Sequence, residues 1–252
     1  MENTNKIYRL AIIGPPNAGK GKQSGFICDT YGLVHLSTGD VLRKNVALET
    51  DVGKAANLYM STGRLVPDEI ILEVVSSVLP DLSQGIVPEI LRTEKDRQAS
   101  NKTNGFLLDG FPRTIPQAEY LRGNSLDVVI SLMVPDDVVR KRSSGRRFTP
   151  PHISSTPRVY NIYNEYDLEH NIDLHTDSVI TSVTERKTGI LLVQRPDDAI
   201  DVVDNRLKVY HSQSDSVIEF YRVAGILAEI NGVSTPEEVF CEIRKSIDIS
   251  KR

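Results

Sequence analysis

Cysteine is scarce in this sequence: Cys28 and Cys241 are the only two in 252 residues. The two could pair with each other, but free thiols in a reducing cytosol are the expected state. A four-cysteine zinc site is excluded. No apolar run approaches the roughly 20 residues that span a bilayer, so no membrane is expected. The opening MENTNK is too short and too polar for a secretory signal. An excess of positive charge is also missing. Lysine and arginine number 30 against 34 acidic residues, a net charge of -4, and no general affinity for nucleic acid follows. No serine–histidine–aspartate constellation is visible. His152, His170, His175 and Asp177 match no metal-ligand spacing and read as a solvated surface.

What is present is an ordinary globular composition, 39% hydrophobic and 25% charged. Short apolar runs at IYRLAII (7–13), FLLDG (106–110), VVISLMV (128–134) and GILAEI (225–230) read as strands, the middle two buried on both faces. Helical patterns lie between and after them. One begins at Pro67 and Asp68. A long one carries Ile200, Val203, Leu207 and Tyr210, continued by Val217 and Tyr221. A last one has Thr235 as N-cap and Pro236 at its first position. Alternation of strand and helix predicts an α/β fold around a central parallel sheet. Residues 80–105 and 149–194 are long, polar and poor in regular period, and they read as insertions, lids or loops.

The first strand runs into GPPNAGKGKQ, residues Gly14 to Gln23. A strand, a glycine-rich turn and a helix form an anion site, because backbone N–H groups converge and the helix N-terminus adds partial positive charge. Gly14, Gly19 and Gly21 allow close approach of the backbone, and Lys20 supplies a cation. Asn17 is among the non-glycine residues least penalised at positive φ. The usual phosphate-loop pattern has serine or threonine directly after the lysine; here Gly21 follows Lys20, and two residues on comes Lys22, a charged donor of longer reach. DDVVRKRSSGRR (136–147) reads as a helix ending in Arg142 and Arg146, four apart and so on one face. Asp109 closes the FLLD run, where a carboxylate can hold a magnesium ion through water. Its alternative is a turn or cap role.

The loop resembles that of the adenylate kinase family, which carries glycine at the Asn17 position and threonine at the Lys22 position. The resemblance recurs in order through His35–Arg43, Gly63–Ile70, Asn104–Glu119, Gly145–Arg147, Arg158–Tyr160, Thr188–Asp198 and Asn205–Leu207. It is weak over 80–103 and through the middle of the 149–194 stretch. DGFPRTIPQ (109–117) is its most specific part.

The resemblance implies a P-loop NTPase-like three-layer fold. Residues 1–37, 68–146 and 195–252 would form the core, 38–67 a helical AMP-binding insertion, and 147–194 a lid. It implies a nucleoside monophosphate kinase that catalyses ATP + AMP = 2 ADP with Mg2+. The acceptor is a phosphate already ionised at neutral pH, so no general base is needed. Lys20, Arg113, Arg142, Arg146, Arg195 and Arg206 would surround the transferring phosphoryl. The ATP site would comprise Gly14, Pro15, Asn17, Ala18, Gly19, Lys20, Gly21, Lys22, Gln23, Arg142, Arg146, Val159 and Tyr160. The AMP site would comprise Thr38, Gly39, Arg43, Met60, Arg64, Leu65, Val66, Gly110, Phe111, Arg113, Gln117, Arg195 and Arg206. Gln117 would read adenine by a bidentate amide contact, and Thr38 could double as a helix N-cap. The lid, by closing, would keep water from the phosphoryl group. A cytoplasmic monomer is expected, the mitochondrial intermembrane space being the other compartment consistent with the family. Two alternatives stay open: GTP as donor, and a non-catalytic nucleotide-binding module with a degenerate loop. The run of arginines argues against the second.

Overall fold

The computed structural model describes residues 7–62, 64–88, 91, 101–123, 126–150, 153, 158–163, 168–169, 172–173, 178–179 and 182–250. In chain order, β1 (Tyr8–Ile13) leads into α1 (Lys20–Tyr31), β2 (Val34–Ser37), α2 (Thr38–Ala47), α3 (Asp51–Met60), α4 (Asp68–Ser76) and α5 (Leu79–Ser83). Then come β3 (Gly105–Asp109), α6 (Ile115–Arg122), β4 (Val128–Met133) and α7 (Asp136–Gly145). Six short strands follow: β5 (Arg146–Phe148), β6 (Val159–Asn161), β7 (Leu168–Glu169), β8 (Ile172–Asp173), β9 (Ser178–Val179) and β10 (Thr184–Glu185). A 3-10 turn at Pro196–Asp198, α8 (Ile200–Val223), β11 (Leu227–Asn231) and α9 (Pro236–Ser250) complete the chain.

Five strands form one parallel sheet in the order β11-β4-β1-β3-β2. Alternation along β1 sends its side chains to two cores. Leu10 and Ile12 join Ile27, Leu107, Ile130, Val139 and Ile243. Ala11 and Ile13 join Leu36, Phe106, Leu108, Phe111 and Val129. Both faces are covered by helices, which is why β3 is buried at every position. Each fully buried leucine or isoleucine contributes about 1.5–3 kcal/mol. α8 serves both cores, with Val203 and Leu207 in one and Val217 and Tyr221 in the other. Of the apolar positions expected from the sequence these four pack inside, whereas Ile200 is exposed and Tyr210 half-buried.

Two helix starts show the capping chemistry. Thr235 and Glu238 form a reciprocal pair at α9: Glu238 N–H to Thr235 Oγ1 at 3.4 Å, and Thr235 N–H to Glu238 Oε2 at 3.0 Å. At α2 the cap is Ser37, whose Oγ accepts from Asp40 N–H at 3.2 Å. Thr38 is therefore already the first helical residue, not the cap that the sequence suggested.

The short strands make a separate small layer. β5 pairs antiparallel with β6, β10 with β7, and β8 with β9. Tyr160, Ile162, Leu168, Val183 and Leu192 form its own core. Phe148 pairs in addition with Val193, so this layer enters and leaves the main body side by side. Among the described residues of 80–105, α5 and an Ile86–Lys102 bridge are ordered structure; His152, His170, His175 and Asp177 lie outside the described residues.

Candidate active site

The site lies at the C-terminal ends of the parallel strands, the usual place for ligands in open α/β sheets. β1 stops at Ile13, and Gly14 turns the chain with φ 144. A Cβ there would sit 2.9 Å from the Leu132 carbonyl oxygen, so this turn admits only glycine. Gly19 caps α1 with φ 97 and no side-chain cap bond, so the Lys20 and Gly21 N–H groups at the start of α1 can serve an outside acceptor, while Lys22 N–H donates to the Gly19 carbonyl at 3.1 Å. Lys20 Nζ folds back and donates to the carbonyls of Gly14 at 2.9 Å and Pro15 at 2.7 Å. Asn17 takes φ 55.

One cleft runs from this loop across the sheet edge. Gly14, Pro16 and Lys20 line it. So do Thr38, Gly39, Leu42, Arg43, Met60, Arg64, Leu65, Val66 and Ile71, with Gly110, Pro112, Arg113 and Gln117, and Asp197, Arg206, Val209, Tyr210, Gln213 and Ser214. Thr38 Oγ1 donates to the Gly110 carbonyl at 3.2 Å. Gly110 has φ 76, and a Cβ on it would meet Arg113 Nη2 at 2.8 Å. Gln117 is buried, its Nε2 donating to Asp68 Oδ1 at 2.6 Å and its Oε1 accepting from Arg113 N–H at 2.7 Å. Arg64 lies over the Tyr59 ring, 5.2 Å from its centroid.

Beside the loop, β5 and the 3-10 turn bring up further cations. Arg146 forms a two-pronged ion pair with Asp198, Nε to Oδ2 at 2.9 Å and Nη2 to Oδ1. Arg206 Nη1 meets Asp197 Oδ2 at 2.9 Å. Arg195 and Arg146 both lie against the Phe148 ring, at 4.0 and 5.2 Å from its centroid. Arg142 turns toward the loop and holds it, donating to the Ala18 carbonyl at 3.1 Å and the Gly232 carbonyl at 2.9 Å. The expected shared helical face of Arg142 and Arg146 is not found. α7 ends at Gly145, and Arg146 is extended, φ -72 and ψ 133, because it begins the β5–β6 pairing and is captured by Asp198. The 3-10 turn follows Arg195 directly, and α8 starts at Ile200.

The electrostatics are those of a cation cluster. Burial pushes the Lys20 amine down to about 7; Asp109 resists this, and Arg113, Arg206 and Arg146 add to it. Burial, then Arg206, lowers Arg113 to about 10. Burial also lowers Arg195 and Arg206, and each feels Arg43 and Arg146. Such a cluster is relieved by a polyanion. Burial alone would raise the Asp109 carboxyl. The hydrogen bond from His35 Nε2 (3.2 Å) and the charges of His35, Lys20 and Arg113 outweigh burial and hold it low. A single ionised carboxylate at the strand end beside the loop suits a hard cation that takes its other ligands from phosphate and water. Among the described residues no group of three or more histidine, cysteine or acidic side chains could hold a metal alone.

Several named residues stand away from the cleft. Val159 is half exposed, and Tyr160 is buried with its hydroxyl on Glu185 Oε1 at 3.1 Å. The Phe111 side chain belongs to the core. Gln23 Nε2 ties α1 to the Pro236 carbonyl at 2.8 Å. Lys22 is exposed, its amine 5.3 Å from the Phe26 ring on the outer face of α1. Sequence reasoning missed Asp68, Asp197, Asp198, Phe148 and Tyr210 as participants. Asp197 and Asp198 sit in the RPDD run directly after Arg195, and paired acids beside a lone arginine were the available signal.

A family model described as adenylate kinase matches residues 12–87 and 82–226. The chain is 35% identical to an adenylate kinase of Streptomyces avermitilis, over 97% of each chain. It is 36% identical to an adenylate kinase of Caldicellulosiruptor saccharolyticus, covering 96% of this chain and 99% of the relative. An adenylate kinase of the yeast Vanderwaltozyma polyspora is also 36% identical, over 97% and 98%.

Proposed function

This chain belongs to the adenylate kinase family and is a nucleoside monophosphate kinase, and on that premise we propose that it transfers a phosphoryl group reversibly from ATP to AMP, giving two ADP. One observation carries the reading. A single cleft joins the phosphate loop, with Lys20, to a second anion-binding set, with Arg43 and Arg113, beside the buried amide of Gln117. A binder of one nucleotide has no use for the second set.

In this reading the loop N–H groups and Lys20 hold the donor phosphates. Arg43 and Arg113 hold the phosphate of AMP, and Gln117 presents its amide to the adenine edge. Thr38, Met60 and the 64–66 backbone enclose the acceptor nucleoside. Arg146, Arg195 and Arg206 face the transferring phosphoryl, where charge spreads over its oxygens. Each arginine–phosphate bond is worth about 1.5–3 kcal/mol. Arg142 acts by bracing the loop through Ala18. Asp109 would hold Mg2+, directly or through water. When bound, magnesium screens the phosphate charges. The acceptor oxygen is already anionic, so no residue needs to remove a proton. The lid, 147–194, excludes water when it closes.

The chain acts as a monomer in this reading. Among the described residues no helix is long and apolar enough to cross a membrane. Cys28 and Cys241 are free, which suits a reducing compartment such as the cytoplasm. A coupled assay for ADP formation, with ATP or GTP as donor and AMP as acceptor, tests the reading. Nucleotide binding without ADP formation from either donor overturns it.

A further inference from the structure

Asn17 has a left-handed backbone, φ 55, that glycine would adopt without penalty. The turn itself therefore does not call for this side chain. Its amide leaves the loop: Nδ2 donates to Ser143 Oγ and, at 3.2 Å, to Asp198 Oδ1. Both partners are buried. Asp198 grips Arg146 through both oxygens. Gln194 Nε2 closes the group by donating to the carbonyls of Ser143 at 3.1 Å and Asp198 at 3.4 Å. The phosphate loop, the end of α7 and the 194–198 passage thus meet at one amide, 126 and 181 residues away from its two partners in sequence. These are also the two strands of chain through which the lid joins the core.

We propose that Asn17 is a positioning residue. It ties the phosphate loop to the carboxylate that aims Arg146, and so sets that cation against the donor phosphates before nucleotide arrives. Arg146 engages both oxygens of the Asp198 carboxylate, and Asn17 adds a donor to Oδ1. A second donor fixes the carboxylate plane, and with it the guanidinium plane. Preorganising a cation in this way lowers the ordering penalty of binding. The inference rests on the assignment of Arg146 to phosphate contact above.

The test compares wild type with Asn17→Gly and Asn17→Asp. Both substitutions suit a left-handed backbone, so the loop keeps its shape. Glycine removes the tether, and aspartate sets a second carboxylate against Asp198. Affinities for a non-hydrolysable ATP analogue and for AMP are measured by calorimetry, with hydrogen exchange at 146–148 and 194–198. Asn17→Gly should weaken the ATP analogue about three- to tenfold, leave AMP within about twofold, and speed exchange at both segments. Asn17→Asp should weaken the analogue further. If both variants bind the analogue as wild type does and the amides of 146–148 and 194–198 exchange unchanged, Asn17 only fills the turn and the proposal is overturned. None of these readouts needs turnover, so absence of ADP formation by wild type would strike the kinase reading alone.

Discussion

Gln117 and Asp68 are joined across 49 residues of sequence by a 2.6 Å hydrogen bond from Nε2 to Oδ1. With Arg113 N–H on Oε1, this settles which way round the amide sits. One N–H and one lone pair remain for a ligand, the pair an adenine edge needs. Asp68→Ala frees the amide to rotate and should raise the KM for AMP about five- to thirtyfold, with the KM for ATP within about twofold. Gln117→Ala should do at least as much. Equal losses for both nucleotides in steady-state kinetics would remove Gln117 from the acceptor site.

Lys20 gives the site a pH dependence with a definite sign. Its amine lies at about 7 in the free protein, below its ordinary 10.5, because it is buried among arginines. The unfolded chain thus binds the extra proton between pH 7 and 10.5, and this group's contribution to stability rises with pH across that window. Nucleotide binding works in the opposite sense. A bound polyanion restores the ammonium, so above pH 7 binding takes up a proton and ATP affinity falls by up to about tenfold per pH unit. Calorimetry at pH 8 in two buffers of different ionisation heat should show this uptake, and Lys20→Arg should abolish it. Equal binding heats in both buffers for wild type would sink the idea.

The fold was readable where apolar period and length agree. β1, β3 and β4 are runs of five or six apolar-rich residues, and the long helix shows Val203, Leu207, Val217 and Tyr221 at turn spacing. β2 was not readable: four residues, Val34–Ser37, alternate too briefly to stand out, and the sheet recruits them through β3. The partners of the arginines were hidden for another reason. Asp198 meets Arg146 over 52 residues, and nothing local in either segment records the other. The helical spacing of Arg142 and Arg146 misled because Gly145 ends α7 between them, where the Tyr163 ring comes within 2.5 Å of where a Cβ would stand.

Lys22 should matter much less than Lys20. Its amine rests on the Phe26 ring, and that ring packs 5.5 Å from Phe240, on the side of α1 away from the loop carbonyls that hold Lys20. Lys20→Ala should lower kcat/KM by about a hundredfold or more, since a charge-assisted phosphate contact is lost. Lys22→Thr should shift turnover by about tenfold or less, in either direction. A wild-type chain that forms no ADP, switched on by Lys22→Thr, would mark the loop as degenerate.

Phe148 offers the sharpest separation of chemistry from folding. It is buried at the end of β5, and its ring carries both Arg195 and Arg146. Two like charges on one ring would repel and splay apart in the free protein. The electron-rich face holds them together, at about 0.5–2 kcal/mol for each contact. Phe148→Leu keeps an apolar side chain of similar reach, so the antiparallel pairing with Val159 and Val193 and the thermal midpoint should survive. The cation contacts should not. We expect kcat/KM for ATP to fall about three- to thirtyfold, with AMP affinity unchanged in the absence of donor. Phe148→Tyr retains the ring and should restore most of the loss. If Leu and Tyr variants turn over alike, the ring is mere packing, and Arg146 is aligned by Asp198 without it.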